Sequence, residues 1–110
     1  MGYNEGMKPI ILKLARDDLK EIYEYLSEFG DGPQKKIRKS FEKFCVRVEN
    51  TPNIYAQYKP DMKYRKAVIE YDYLVFCKVE KSSGRVKVYR ILHGKRDVLS
   101  LLNSEGESRN

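Results

Sequence analysis

The sequence predicts an α+β fold in which an N-terminal strand and an antiparallel two-helix hairpin precede a three- to four-stranded antiparallel sheet. Two neighbouring stretches have the apolar spacing of helices, and three strand-like runs follow with no helix between them. A chain of 110 residues has room for one core, so we expect a single domain. We place this domain at residues 8–102, after a flexible leader (1–7) and before a polar tail (103–110).

The N-terminal elements follow from short-range patterns. KPIILKL (8–14) is a brief apolar run that predicts a strand, and Pro9 near its start suits a sheet edge. The next segment has one apolar stripe at helical spacing, made of Leu19, Ile22, Tyr23, Leu26 and Phe29. GDGP (30–33) interrupts that pattern, and Pro33 suits the first turn of a second helix.

The second helix is predicted from Pro33 to Glu49. Its apolar stripe consists of Ile37, Phe41, Phe44, Cys45 and Val48. Because the break between the two helices is so short, they must pair antiparallel.

Three strands are predicted at 64–71, 73–80 and 85–93. The middle run is nearly continuously apolar, which indicates a central strand covered on both faces. KSSG (81–84) predicts a hairpin turn with Gly84 at positive φ. Tyr55 and Tyr58, in the preceding loop, are expected to pack over the edge of the core, and GKRDVLSLL is expected to close the domain with one helical turn.

Composition limits the function classes. One histidine and two cysteines without a CxxC motif make a poor ligand set, so we expect no metal site and no cofactor. No window approaches 18 consecutive apolar residues, so we expect no membrane partner. Cys45 and Cys77 lie within apolar patterns, which favours reduced, buried thiols and a cytoplasmic location.

Positive charge is concentrated late in the chain. The net charge is +6, and residues 58–97 contain eleven Lys/Arg against five Asp/Glu, whereas residues 1–57 contain ten against nine. This asymmetry indicates a surface for a polyanion or an acidic protein, although a charge that only confers solubility is an alternative. The predicted binding residues are Arg65, Lys87, Arg90, Lys95 and Arg96.

Three segments resemble the RelE/ParE superfamily of toxins from type II toxin–antitoxin modules, which includes plasmid stabilisation proteins. They are DLKEIYEYLSEFG, YRKAVIEYDYLVFCKVE and VYRILHGKRD, and the last is similar to the ending common in the ParE-like branch. The resemblance implies a helical hairpin on a twisted sheet. It also implies a cytoplasmic growth inhibitor that is neutralised by a cognate antitoxin. RelE-like members cut mRNA on the ribosome, whereas ParE-like members inhibit DNA gyrase.

The two activities need different residues. Metal-independent RNA cleavage needs a proton-transfer pair, for which His93 and Glu70 are the candidates, and cations on the phosphate. The candidate cations are Arg65, Arg90 and Arg96. However, no aromatic side chain follows His93 to stack on a base, and strand alternation places Arg90 and His93 on opposite faces unless a bulge intervenes.

We therefore favour the gyrase inhibitor, in which a histidine at this position caps the strand end through a backbone hydrogen bond. A ribosome-dependent endoribonuclease, and a homologue that only binds antitoxin, are the alternatives.

Overall fold

The structure is a computed structural model that describes residues 8–108, without the side chains of 104–108, so the predicted leader (1–7) lies outside the described residues. The elements are β1 (Ile10–Ile11), α1 (Lys13–Ser27), α2 (Asp31–Asn50), β2 (Arg65–Ile69), β3 (Tyr73–Val79), β4 (Val86–His93) and α3 (Val98–Ser108). A tight turn, Glu70–Asp72, joins β2 to β3. The α+β class and the two-helix hairpin are confirmed.

The sheet has the strand order β1-β4-β3-β2. Strands β2, β3 and β4 pair antiparallel as predicted, but β1 pairs with β4 in parallel, so the prediction of an antiparallel sheet is wrong at this edge. The hairpin and the loop after it carry the chain from one edge of the sheet to the other. Two antiparallel steps then bring β4 back beside β1 in the same direction.

The first strand is shorter than the seven-residue run suggests. The amide of Leu12 donates to the carbonyl of Val88 at 3.0 Å, and α1 begins at the next residue. Lys13 and Leu14, which the apolar run assigned to the strand, are therefore helical.

The helical hairpin covers one face of the sheet and forms the main core with it. The predicted stripe of α2 is confirmed, with Phe44 and Ile37 almost fully buried and Cys45 packed against the core. In α1, Ile22 and Leu26 are buried as predicted, but Phe29 is 59% exposed. The prediction fails at Phe29 because α1 ends at Ser27 and the chain has left the helical spiral there.

The opposite face of the sheet, which we call the open face, has a smaller apolar cluster. Phe76 and Leu92 form its centre, and Val98 and Leu102 of α3 pack against it. The helix that ends the described chain is thus anchored as predicted, but it is eleven residues long instead of one turn. The loop tyrosines also pack as expected: Tyr55 stacks on Phe44, and Tyr58 meets Phe76 edge-on.

Both cysteines are free thiols in this arrangement. Burial raises the pKa of Cys45 to about 11 and that of Cys77 to about 12, so both are protonated and unreactive near neutral pH. Gly84 adopts the positive φ of 74° predicted for the β3–β4 turn. Among the described residues, no helix is long and apolar enough to cross a bilayer, and no cluster of side chains could hold a metal ion.

Candidate functional site

A bulge in β4 decides where the cationic motif YRILHGKRD points. Phe76 pairs with Arg90, whereas Cys77 pairs with Val88, so Tyr89 has no partner in β3. Ile91 therefore joins Val88 on the helix-covered face, and Leu92 joins Tyr89 on the open face. The simple alternation predicted for β4 is wrong beyond Val88.

Arg90 is buried in an ion pair with Asp18 of α1. Its Nε donates to Asp18 Oδ2 at 2.8 Å and its Nη2 to Oδ1 at 2.9 Å, and only 8% of Arg90 is exposed. The backbone amide of Ile91 also donates to Asp18 Oδ2, at 2.9 Å. The register of β1 with β4 covers Lys87 and Val88 and does not extend to Ile91. The Asp18 carboxylate therefore accepts the Ile91 amide that a longer neighbouring strand would otherwise bond. Arg90 thus holds α1 against β4 and leaves little surface for contact with a polyanion.

His93 is the last residue of β4, and both a hydrogen bond and a ring contact fix its side chain. Its Nδ1 accepts the backbone amide of Lys95 at 3.2 Å, and its ring meets Tyr73 edge-on at a centroid distance of 5.1 Å. The next amide, from Gly94, donates to the carbonyl of Asp72 at 2.9 Å. The backbone hydrogen bond predicted for a strand-capping histidine is confirmed, which leaves Nε2 as the ring nitrogen available for other contacts.

His93 and Arg96 do meet in one place, beside α1. Two adjoining hollows of about 160 Å³ and about 500 Å³ share four lining residues, Tyr25, Tyr73, His93 and Arg96. Asp18 and Glu21 add acidic groups to the smaller hollow. The larger hollow, which we call the aromatic cleft, is lined by Tyr25, Leu26, Phe29, Tyr71, Tyr73, His93 and Arg96.

Arg65 lies elsewhere. Its Nη1 donates to the carbonyl of Tyr55 at 2.7 Å, and it pairs with Cys77, whereas His93 pairs with Tyr73. These partners lie four residue steps apart in β3, which is an offset of about 13 Å along the strand direction. The structure therefore divides the predicted catalytic set: Arg65 is distant, Arg90 is buried, and His93 and Arg96 line a common hollow.

Three lysines of the sheet project on the open face. Lys66 lies opposite Phe76, and Lys78 lies opposite Lys87 across the β3–β4 pair. The Lys78 ammonium is 4.9 Å from the ring centroid of Tyr64 and 4.6 Å from that of Tyr89.

Burial in this setting, with repulsion from Lys63 as the smaller cause, lowers the pKa of Lys78. Lys87 is 3.4 Å from Glu80, and Lys66 lies over the ring of Tyr58. We call this surface the basic face; it consists of Lys66, Lys78, Lys87, Tyr58, Tyr64 and Tyr89. Of the predicted binding residues, only Lys87 belongs to it, and Lys95 and Arg96 lie in the exposed loop after β4.

Several residues of these surfaces were missed by reasoning from the sequence. Asp18 carried a signal, because an aspartate on an otherwise apolar helical stripe between Ala15 and Ile22 implies a buried partner. Lys66 in β2 and Lys78 in β3 each interrupt a strand pattern, and the alternation of side chains along a strand assigns each lysine to one face of the sheet. Tyr25 and Tyr71 gave no usable signal, since aromatic residues in helices and near strand ends usually belong to the core.

These observations place the chain in the RelE/ParE-like architecture, a helical hairpin on one face of a four-stranded sheet. Residues 10–98 match the family model described as the ParE toxin of the type II toxin–antitoxin system, parDE. The chain therefore belongs to the ParE toxin family.

Among solved structures, the chain is similar to one titled "Chromosomal ParDE TA system from P. aeruginosa", with a TM-score of 0.62 and 18% identity. The match covers 79% of this chain and 95% of that one. At this identity the similarity supports the fold alone. No curated protein matches.

Proposed function

We propose that this protein is the toxin of a type II toxin–antitoxin module, that it inhibits growth in the cytoplasm by binding DNA gyrase, and that a cognate antitoxin neutralises it. Plasmid stabilisation is the expected consequence where such a module is carried on a plasmid. Membership of the ParE family supports the toxin role.

The observation that carries the non-enzymatic mechanism is the dispersal of the candidate catalytic groups. Charge on a phosphorane must be stabilised by cations within hydrogen-bonding distance of it. The guanidinium of Arg90 is bonded to Asp18, and Arg65 is offset from His93 by four residue positions, or about 13 Å along the strand direction, on a strand that β3 separates from β4. Inhibition by binding requires no such convergence.

The assay that tests this mechanism is DNA supercoiling by purified gyrase with the toxin titrated in. We expect supercoiling to stop at micromolar toxin or below, and pulse labelling after induction to show that DNA synthesis falls before protein synthesis. Unchanged supercoiling at micromolar toxin would contradict the proposal.

The basic face is the proposed contact for the antitoxin. Antitoxins of such modules are expected to be acidic and partly disordered, and a face that displays three lysines among tyrosines complements an acidic segment that folds on binding. Lys78 is already partly desolvated, so an acidic group placed near it meets a weakly screened charge.

Isothermal titration with the protein encoded beside the toxin tests this contact. Replacing Lys66 and Lys78 with glutamate should weaken binding and reduce its salt dependence. A matched control is glutamate at Lys35 and Lys39, which are exposed on α2. Equal loss of affinity in both variants would show that net charge matters and the basic face does not.

A ribosome-dependent endoribonuclease is the second candidate. One observation favours it: His93, Arg96 and Glu21 line the same hollow of about 160 Å³. Primer extension on translated mRNA after induction distinguishes the two, because an endoribonuclease leaves codon-phased cuts and a gyrase inhibitor leaves none.

A further inference from the structure

The aromatic cleft concentrates the exposed aromatic surface of the described part of the chain. Among the residues whose side chains the structure describes, three aromatic side chains are large and exposed: Phe29 (59%), Tyr25 (55%) and Tyr71 (37%). All three line this one hollow, although they come from the end of α1, the segment after it and the β2–β3 turn. A cluster of exposed aromatic rings beside an arginine has the composition of a protein-binding anchor site.

The turn that presents Tyr71 is built at a conformational cost. Tyr71 and Asp72 both have φ of 61°, and the amide of Tyr73 donates to the carbonyl of Glu70. Two successive central residues with positive φ form a hairpin turn of the I′ kind, for which Asn-Gly is the preferred sequence. This chain has Tyr-Asp there, so Tyr71 occupies a backbone conformation that its side chain disfavours.

Arg96 supplies the charge of the site. It is exposed, lines both hollows, and forms no ion pair with a carboxylate among the described side chains. Its neighbour Lys95 is also exposed. The cleft thus offers an apolar, ring-lined depression with a guanidinium at its margin. Its complement is an apolar side chain flanked by a carboxylate on the surface of another protein.

We propose that the aromatic cleft is the surface with which the toxin binds its target protein, through an apolar anchor and an adjacent carboxylate of that protein. This inference rests on the proposed toxin function and deepens it, because it separates the target surface from the basic face proposed for the antitoxin. The target site lies at the His93 end of the sheet beside α1. The basic lysines lie on the opposite face.

The hairpin turn offers a matched pair of variants for the test. Tyr71→Asn with Asp72→Gly gives the turn its preferred sequence and removes the ring. Asp72→Gly alone relaxes the turn and keeps the ring, and the carbonyl that accepts the amide of Gly94 remains in both. Both variants should unfold at a higher temperature than the parent chain.

The measurements are growth arrest after induction, inhibition of purified gyrase, and titration with the protein encoded beside the toxin. The double variant should need tenfold or more protein for the same inhibition, as expected for truncating an aromatic anchor, and should bind antitoxin like the parent. Asp72→Gly should match the parent in all three. Phe29→Ala should resemble the double variant, and Val46→Ala, at a similarly exposed position on α2, should not.

Two results would overturn the inference. One is full growth arrest by the double variant and by Phe29→Ala. The other is a loss of antitoxin affinity that parallels the loss of toxicity. The proposed gyrase mechanism is judged separately, by the parent chain: if it arrests growth but leaves supercoiling unchanged, gyrase is not the target, and the variants still decide whether the cleft is needed for toxicity.

Discussion

Arg90 and Arg96 lie six residues apart in one motif, and the fold uses them in opposite ways. Arg90 is 8% exposed and shares two hydrogen bonds with Asp18, whereas Arg96 is exposed beside the aromatic cleft. The same guanidinium thus serves as an internal tie in one position and as a surface charge in the other. The difference teaches that a cluster of cations in a sequence does not by itself define a binding site. A member that is buried in an ion pair is no longer available to a partner.

The largest effect on stability is expected at the buried end of this comparison. Asp18→Ala leaves the Arg90 charge buried without its carboxylate and removes the acceptor of the Ile91 amide. We expect the free energy of unfolding to fall by about 3–5 kcal/mol, measured by urea denaturation. Asp17→Ala is the control, because the ion pair of Asp17 with Lys13 is exposed, and it should change stability by less than about 1 kcal/mol. Equal effects of the two substitutions would remove the distinction between buried and exposed charge.

A double-mutant cycle sharpens that result. Arg90→Met should destabilise the protein, because Asp18 keeps the Ile91 amide but loses its charged partner. Combined with Asp18→Ala, it should cost less than the sum of the single effects by about 0.5–3 kcal/mol, since the second substitution removes a charge that the first left unpaired. Purely additive effects would mean that the two side chains do not act as a pair.

Much of the fold was predictable because it follows from local patterns. The spacing of Ile37, Phe41 and Phe44 defines a helix face, and Gly84 supplies the positive φ that the β3–β4 turn requires. The helix end at Ser27 was less predictable, because no residue there forces the chain out of the helix before GDGP, and Phe29 was consequently assigned to the core.

The candidate site was harder to predict because it depends on one inserted residue. The bulge at Tyr89 brings Ile91 and His93 to the helix side of the sheet, and no local preference in YRILHG distinguishes a bulged strand from a regular one. The burial of Arg90 likewise depends on Asp18, which is 72 residues away in the sequence. Neither could be read from composition or from alternation.

An intermediate effect on stability is expected from substitution of His93, which lies between Arg90 and Arg96 in the sequence. His93→Ala removes the hydrogen bond to the Lys95 amide and the edge-on contact with Tyr73, so stability should fall by about 1–2 kcal/mol. His93→Asn retains an acceptor near that amide and should recover part of the loss. If toxicity follows stability across these two variants, His93 is structural; if both abolish toxicity at unchanged stability, it contacts a partner or substrate.

The smallest effect on stability is expected at Arg96. Because its side chain is exposed and forms no ion pair with the described carboxylates, Arg96→Ala should change the free energy of unfolding by no more than about 0.5 kcal/mol. Growth inhibition should nevertheless weaken tenfold or more, since the cleft loses its charged contact. Lys81→Ala, in the exposed β3–β4 turn, is the control that removes one positive charge elsewhere. If Arg96→Ala lost stability and toxicity together, Arg96 would be a structural residue, as Arg90 is. The aromatic rings would then be the remaining candidates for contact with the target.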